Sequence, residues 1–332
     1  MTLPSEIEWI EISNGHGLSA TILSYGATLQ SVRFPDRQGH PIDVVLGFET
    51  VEEYLKDGAS FGRTIGRVTN RIKNAQFVLD EKSFQLEMNR PPHHLHGGSR
   101  GAGNRNWEVE CREGNSVTLS LCLRSHEDKY PGDVDIKVTY TVNDLNQLLI
   151  EFSAKATEKT VVNLTNHAYW NLDGEASSVL DHKLHIAAKN YLPVDLTSLP
   201  TGEVVGVAGT PFDFSSLRSL RNDDSPSSHH IDNDFVLDKH AAGQPLLTLE
   251  SPKSGIRLEL STSYPIIHVY SASHLTGQLK GKNGKFYDAH SALAIEPQKY
   301  SDAPNNSNFP SIDLVEGEMY NEEIVYSFCH LN

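Results

Sequence analysis

The chain has 332 residues, 38% hydrophobic and 21% charged, with 16 prolines, 24 glycines, three cysteines and a formal net charge of -15. These figures exclude a disordered or collagen-like chain, and the negative charge opposes binding to nucleic acid or an anionic membrane. No run of about 18 apolar residues is present, so no membrane-spanning segment is expected.

Met1 to Ile12 has neither the basic start nor the apolar run of a secretory signal. Cys111, Cys122 and Cys329 are odd in number and widely spaced, the pattern of reduced thiols rather than of a disulfide framework or zinc site. A cytoplasmic location is therefore expected.

Taken in chain order, the first element is short. Thr50 to Lys56 predicts one or two helical turns, with Thr50 as N-cap and Glu53 three residues on. Gln76 to Asp80 and Phe84 to Met88 predict a hairpin across Glu81-Lys82. The clearest strands follow. Val117, Leu119, Leu121 and Leu123 alternate with polar residues between Ser116 and Arg124. Val134, Ile136, Val138, Tyr140 and Val142 do so between Asp133 and Val142.

Successive strand side chains point to opposite faces, so this period of two means half-buried antiparallel strands. Ser215 to His230 is polar and predicts a long loop. Ile256, Leu258 and Leu260 return to the alternation. Gly114-Asn115, Asn143-Asp144 and Pro252 to Gly255 are turn signals between strands. No linker, repeat or composition shift divides the chain. The expected fold class is all-β: one large antiparallel β-sandwich or barrel-like domain over residues 1–332.

Four segments concentrate side chains with chemistry: Gly66 to Ile72, His93 to Gly98, Asn163 to Leu172, and Ala294 to Gln298 with Asp302 to Asn305. A weaker fifth is Ile231 to Phe235. On a strand His94 and His96 would share a face, as metal ligands do, but the next acid is only Glu108. Plain loop histidines and hydrogen bonding to a ligand are the other readings. Arg71 could be a surface cation. His167 lies among Asn, Thr and aromatic residues, which suits a sugar surface, since rings stack on sugars while amides bond their hydroxyls; a buried structural histidine is the bland alternative. Glu296 closes the apolar run from Ala292, where an unpaired carboxylate is costly unless it has a function.

Together and in order, these segments resemble the aldose 1-epimerases, also called galactose mutarotases. The resemblance runs from Ser24-Tyr25-Gly26-Ala27 and Val45-Leu46-Gly47-Phe48 through Gly66 to Arg71, Leu95-His96-Gly97-Gly98, Trp107 and Tyr130-Pro131-Gly132-Asp133. It continues through Asn163 to Leu172, Thr210 to Phe214, Glu296-Pro297-Gln298 and the tail from Asn308-Phe309-Pro310 to Tyr320. It implies a large antiparallel β-sandwich of the galactose mutarotase-like supersandwich type.

It also implies Glu296 as general base and His167 as general acid, with Asn70, Arg71, His96 and Asp232 binding the sugar. His268 stands where the family usually has glutamine, two residues before Tyr270, and is a possible variant sugar contact. Ala102, Lys129 and Ser273 replace an aromatic, a glycine and an asparagine that are usual in the family. No metal or other cofactor is implied, and a monomer or weak homodimer acting on a free sugar is expected.

The chemistry of such a reaction constrains the site. Exchanging anomers requires the ring to open, so a proton leaves the anomeric hydroxyl while another reaches the ring oxygen. Glu296 is expected to take the first and His167 to give the second. After rotation about C1–C2 the two exchange roles on closure. This expects an ionised Glu296 and a His167 whose pKa is raised by Asp232 or Glu296. Competing readings are a glycoside hydrolase built on Asp232 and Glu296, a non-catalytic sugar-binding module, and a metal enzyme built on His94 and His96.

Overall fold

The computed structural model describes residues 7–174, 177–221, 230–238 and 244–331. The alternation read from the sequence becomes a nine-stranded antiparallel sheet. Its order is Glu108–Glu113, Ser116–Leu123, Val134–Val142, Gln147–Ala156, Tyr320–His330, Ile256–Thr262, Leu247–Glu250, Lys183–Ile186 and Arg218–Ser219. Val134, Ile136, Val138, Tyr140 and Val142 are all fully buried, and the odd-numbered residues between them face outward or are partly exposed. One face of this sheet is thus core and the other meets water.

A six-stranded sheet packs against that core face. Its order is Tyr169–Trp170, Leu293–Gln298, Ile266–Tyr270, Asp232–Leu237, Ala188–Leu192 and Val205–Gly206. Trp170 meets Tyr326 of the larger sheet with ring centroids 4.6 Å apart, and the Tyr326 hydroxyl donates to the Ile295 carbonyl at 3.2 Å. An aromatic pair of this kind contributes about 0.5–1.5 kcal/mol beyond area burial. A four-stranded N-terminal sheet, Trp9–Ser13, Ser19–Leu23, Thr28–Pro35 and Pro41–Asp43, adds Ile10, Ile12, Leu29 and Val32 to the same apolar cluster. The architecture is the expected all-β sandwich.

The central strands of the six-stranded sheet are buried on both faces, and this is what builds the site. Phe235, Ile267, Val269 and Ile295 point into the sandwich core. The alternate positions of the same strands carry Asp232, Asp234, His268 and Glu296, also buried. Strand geometry therefore sorts an apolar core from a row of titratable groups residue by residue.

Local expectations need two corrections. The hairpin pairs Gln76–Leu79 with Lys82–Gln85, so the turn is Asp80-Glu81. Both turn residues have positive φ (47° and 66°), the two-residue geometry that matches strand twist, and it starts the second strand two residues early. The helix Val51–Lys56 forms as read, with the Thr50 amide donating to the Glu53 carboxylate at 3.2 Å. Ser215 to His230 is not wholly loop, because Arg218–Ser219 pairs with Lys183-Leu184 at the sheet edge; residues 222–229 of that segment lie outside the described residues. Lys129 takes φ 67°, the left-handed conformation in which glycine is unstrained, which accounts for the residue usual there.

Candidate active site

A cleft of about 320 Å³ opens over the polar face of the six-stranded sheet, and Asn70, Arg71, His96, His167, Asp232, His268 and Glu296 all line it. The seven residues singled out from sequence thus meet, from segments spread over more than two hundred positions. The wall also includes Arg90, Tyr169, Tyr270 and His274.

At the centre His167 Nε2 lies 3.3 Å from Glu296 Oε1. Glu296 sits mid-strand, paired across the ladder with His268. His167 lies in the two-residue link between the Thr165–Asn166 and Tyr169–Trp170 strands. Its backbone is clamped on both sides: its N–H donates to the Arg63 carbonyl, and its carbonyl accepts from the Gly62 N–H, each at 2.9 Å. Its ring stacks on Tyr169 at 5.0 Å and meets His96 edge-on at 5.4 Å.

Glu296 Oε2 is buried with no hydrogen-bond partner among the described residues. An unsatisfied buried acceptor costs roughly 1–3 kcal/mol, so a hydroxyl donor brought by a ligand would be favoured there.

Burial dominates the electrostatics of this pair. It pushes the Glu296 carboxyl up to about 8, the His268 charge pulling against it. It pushes His167 down to about 3, with the Asp232 carboxylate too weak a counterweight. The expectation that neighbouring acids raise His167 is therefore overturned, because desolvation of the imidazolium outweighs their attraction. Burial thus disfavours the charged form of both groups, which leaves one proton to be shared across the 3.3 Å contact.

Asn70 and His96 are locked together. His96 N–H donates to the Asn70 carbonyl at 3.1 Å, and the Asn70 amide donates to His96 Nδ1 at 3.2 Å. A ring nitrogen that accepts leaves the other as donor, so His96 presents Nε2–H. Burial, with His167 and Arg71 nearby, holds His96 well below the usual histidine range, which keeps it neutral.

The expected common face for His94 and His96 is not formed. The strand ends at Leu95, and His96, Gly97 and Gly98 have φ of 54°, 79° and 78°, which rotates His96 into the cleft. His94 instead donates from Nδ1 to the Glu87 carbonyl (2.7 Å) and packs edge-on against Tyr130. His93 binds Thr197 and the Asn74 amide, as a structural strap. Among the described residues no cluster of three or more His, Cys, Asp or Glu is arranged to hold a metal ion.

A Cβ at Gly97 would fall 2.0 Å from the Gly66 carbonyl oxygen, a backbone atom. Gly97→Ala should therefore cost about 2–4 kcal/mol of stability and displace His96. Urea denaturation checks this; a loss below about 0.5 kcal/mol would contradict it.

Arg71 Nη1 leans on Asn70 Oδ1 at 3.4 Å, and burial lowers the pKa of its guanidinium while Asp232 supports the charge. Asp232 is buried too, yet the hydrogen bond from His268 and the charges of His268 and Arg71 hold its carboxyl well below the usual range.

The aldose 1-epimerase family model matches residues 8–327, nearly the whole chain. The chain belongs to the aldose 1-epimerase family. It is 39% identical to the galactose mutarotase of Rattus norvegicus over 313 residues, covering 94% of this chain and 91% of the relative. To the aldose 1-epimerase of Escherichia coli it is 32% identical over 327 residues, covering 96% and 94%. Among solved structures, a GalM/aldose epimerase homologue from C. elegans superposes with a TM-score of 0.95 at 46% identity, covering 98% of this chain and all of that one. A galactose 1-epimerase from Lactobacillus acidophilus gives 0.86 at 26% identity, covering 100% and 97%.

The chain is accordingly an isomerase with mutarotase function. The sequence segments do not single out Arg90 and His274, which line the cleft, or Asp234, which bonds His268. Asp234 shares a strand face with Asp232, a two-residue spacing that was visible once the strand was assigned. Arg90 sits in a loop that offers no periodic signal.

Proposed function

We propose that this aldose 1-epimerase interconverts the anomers of free hexoses such as galactose and glucose through Glu296 and His167. The observation that supports it is the 3.3 Å contact between these two buried groups at the floor of the cleft, with a Glu296 oxygen left unpaired. A sugar hydroxyl donating to that oxygen stabilises the carboxylate, so the shared proton moves to His167. Glu296 then removes the anomeric proton while His167 protonates the ring oxygen. The open chain turns about C1–C2, and the reverse transfers close the ring on the other face. Asn70, Arg71 and His96 donate to the remaining oxygens, and the Asp232 carboxylate accepts from ring hydroxyls, so the remote ring stays fixed while C1 turns.

The reading extends to one domain, a sugar as the small-molecule partner, and a cytoplasmic monomer or weak homodimer. Among the described residues no helix is long and apolar enough to cross a membrane. Polarimetry on freshly dissolved galactose, glucose, a pentose and maltose tests the substrate. Decay faster than the spontaneous rate is expected for the hexoses, and no reducing sugar should be released from an aryl glycoside. Binding without faster decay would favour a carbohydrate-binding module instead.

The pH dependence follows from the shared proton. As pH rises through about 8, Glu296 loses it while His167 is already neutral, so no acid remains. After subtraction of the spontaneous rate, kcat/KM should fall about tenfold per pH unit above that point. A profile still rising at pH 9.5 would contradict a one-proton pair.

A further inference from the structure

Asp234 takes part in no step above. On its strand it faces His268 directly across the ladder, and His268 faces Glu296 on the next strand. Directly opposed residues lie on one face of a sheet, so Asp234, His268 and Glu296 form a row across three strands on the cleft side. The imidazole in the middle is held at both nitrogens: Nδ1 lies 2.7 Å from Asp234 Oδ1, and Nε2 lies 3.0 Å from Asp232 Oδ1. A neutral imidazole has one N–H and one lone pair. Whichever tautomer is drawn, one lone pair would face a carboxylate at hydrogen-bond distance. Only the doubly protonated ring satisfies both contacts. Asp234 is itself anchored, because its Oδ2 accepts from the Ser301 amide at 3.2 Å.

We propose that Asp234 is a positioning residue that holds His268 as a lasting imidazolium, and that this cation orients the Asp232 carboxylate and sets the charge beside Glu296. Both N–H groups of His268 are committed to carboxylates. The sugar therefore meets Asp232 rather than the imidazole, which replaces the direct contact expected from sequence. The other groups facing the ring do not reverse this. Asn70 Nδ2 stands 3.4 Å from Nδ1, Arg71 supplies the other cation, His96 and His167 are neutral, and Tyr270 lies on the same strand. Burial alone would neutralise His268, but the Asp232 and Asp234 carboxylates together carry its pKa up to about 10.

The consequence for catalysis rests on the mutarotase reading; the charge state of the ring does not, so the test has two arms. In the first, the protein is labelled with ¹⁵N-histidine and titrated by NMR, His268 being identified by its loss in His268→Gln. Both ring nitrogens should remain protonated through pH 9. Asp234→Asn should bring the titration down between pH 6 and 9. A neutral ring at pH 8 in the parent protein, or a His268 in Asp234→Asn that stays charged through pH 9, overturns the proposal. This arm needs no turnover, so it stands even if the mutarotase assignment fails.

The second arm reads the alkaline limb of kcat/KM. His268→Gln removes a cation near Glu296, favours the protonated carboxyl, and should move the limb up by about one pH unit. The double variant Asp234→Asn/His268→Gln removes one charge of each sign and should bring it back. A limb unmoved in His268→Gln overturns the electrostatic role. Should His268→Gln fail to fold, the Asp234→Asn titration decides.

Discussion

Glu296→Ala and His167→Asn should each lower kcat by about 10²–10⁴-fold, the contribution typical of one positioned acid or base. Ring opening needs a proton removed and a proton supplied at two oxygens on the same carbon, and either variant leaves only one of these tasks served. The loss should fall mainly on kcat, since Asn70, Arg71, His96 and Asp232 still hold the ring. Because the two groups act as a unit, the double variant should be little worse than either single one. Stability moves the other way for Glu296. Its carboxyl is almost fully buried with one oxygen unpaired, so removing it should leave the melting temperature equal or higher. Polarimetry on fresh α-glucose and a thermal melt on the same sample check both statements. Near-normal kcat in either variant would sink the assignment of that residue.

Arg67→Met should cost about 3–5 kcal/mol of stability, the range for breaking a buried ion pair from one side. Arg67 and Asp128 are both buried and their charged atoms lie 2.8 Å apart. The guanidinium also donates to the carbonyls of Pro131, Gly132 and Leu123. Removing it strands an acid and leaves three carbonyls without that donor. Arg67→Met/Asp128→Leu should recover part of the loss, because the lone charge is gone while the carbonyls still lack their partner. Asn70 and Arg71 follow within four residues, so kcat/KM should fall as well. Urea unfolding measures the energies; a loss under about 1 kcal/mol for the single variant would show that the pair is not structural.

These two predictions divide the blocks by which the family was recognised. Gly66 to Arg71 is one family block in sequence, yet Arg67 turns inward to hold the Tyr130-Pro131-Gly132 block, and of these residues only Asn70 and Arg71 reach the cleft. Likewise His93, His94 and His96 form one cluster in sequence and serve separate purposes in space.

The amino-acid pattern by itself determined the sandwich. Alternation along Ser116–Leu123 and Val134–Val142 commits one face of each strand to the core, because a strand side chain has only two directions available. It also determined which seven residues to watch, through the order of the family blocks. Tertiary structure decided what those residues are chemically. Burial, which no local pattern encodes, reverses the expected charge on His167 and raises Glu296. Three consecutive left-handed residues, permitted by Gly97 and Gly98, bring His96 into the cleft and leave His94 out. The pairing of strands distant in sequence sets His268 between two carboxylates and beside Glu296. Proximity between residues tens of positions apart is a property of strand register, and the charge a buried group carries follows from that proximity.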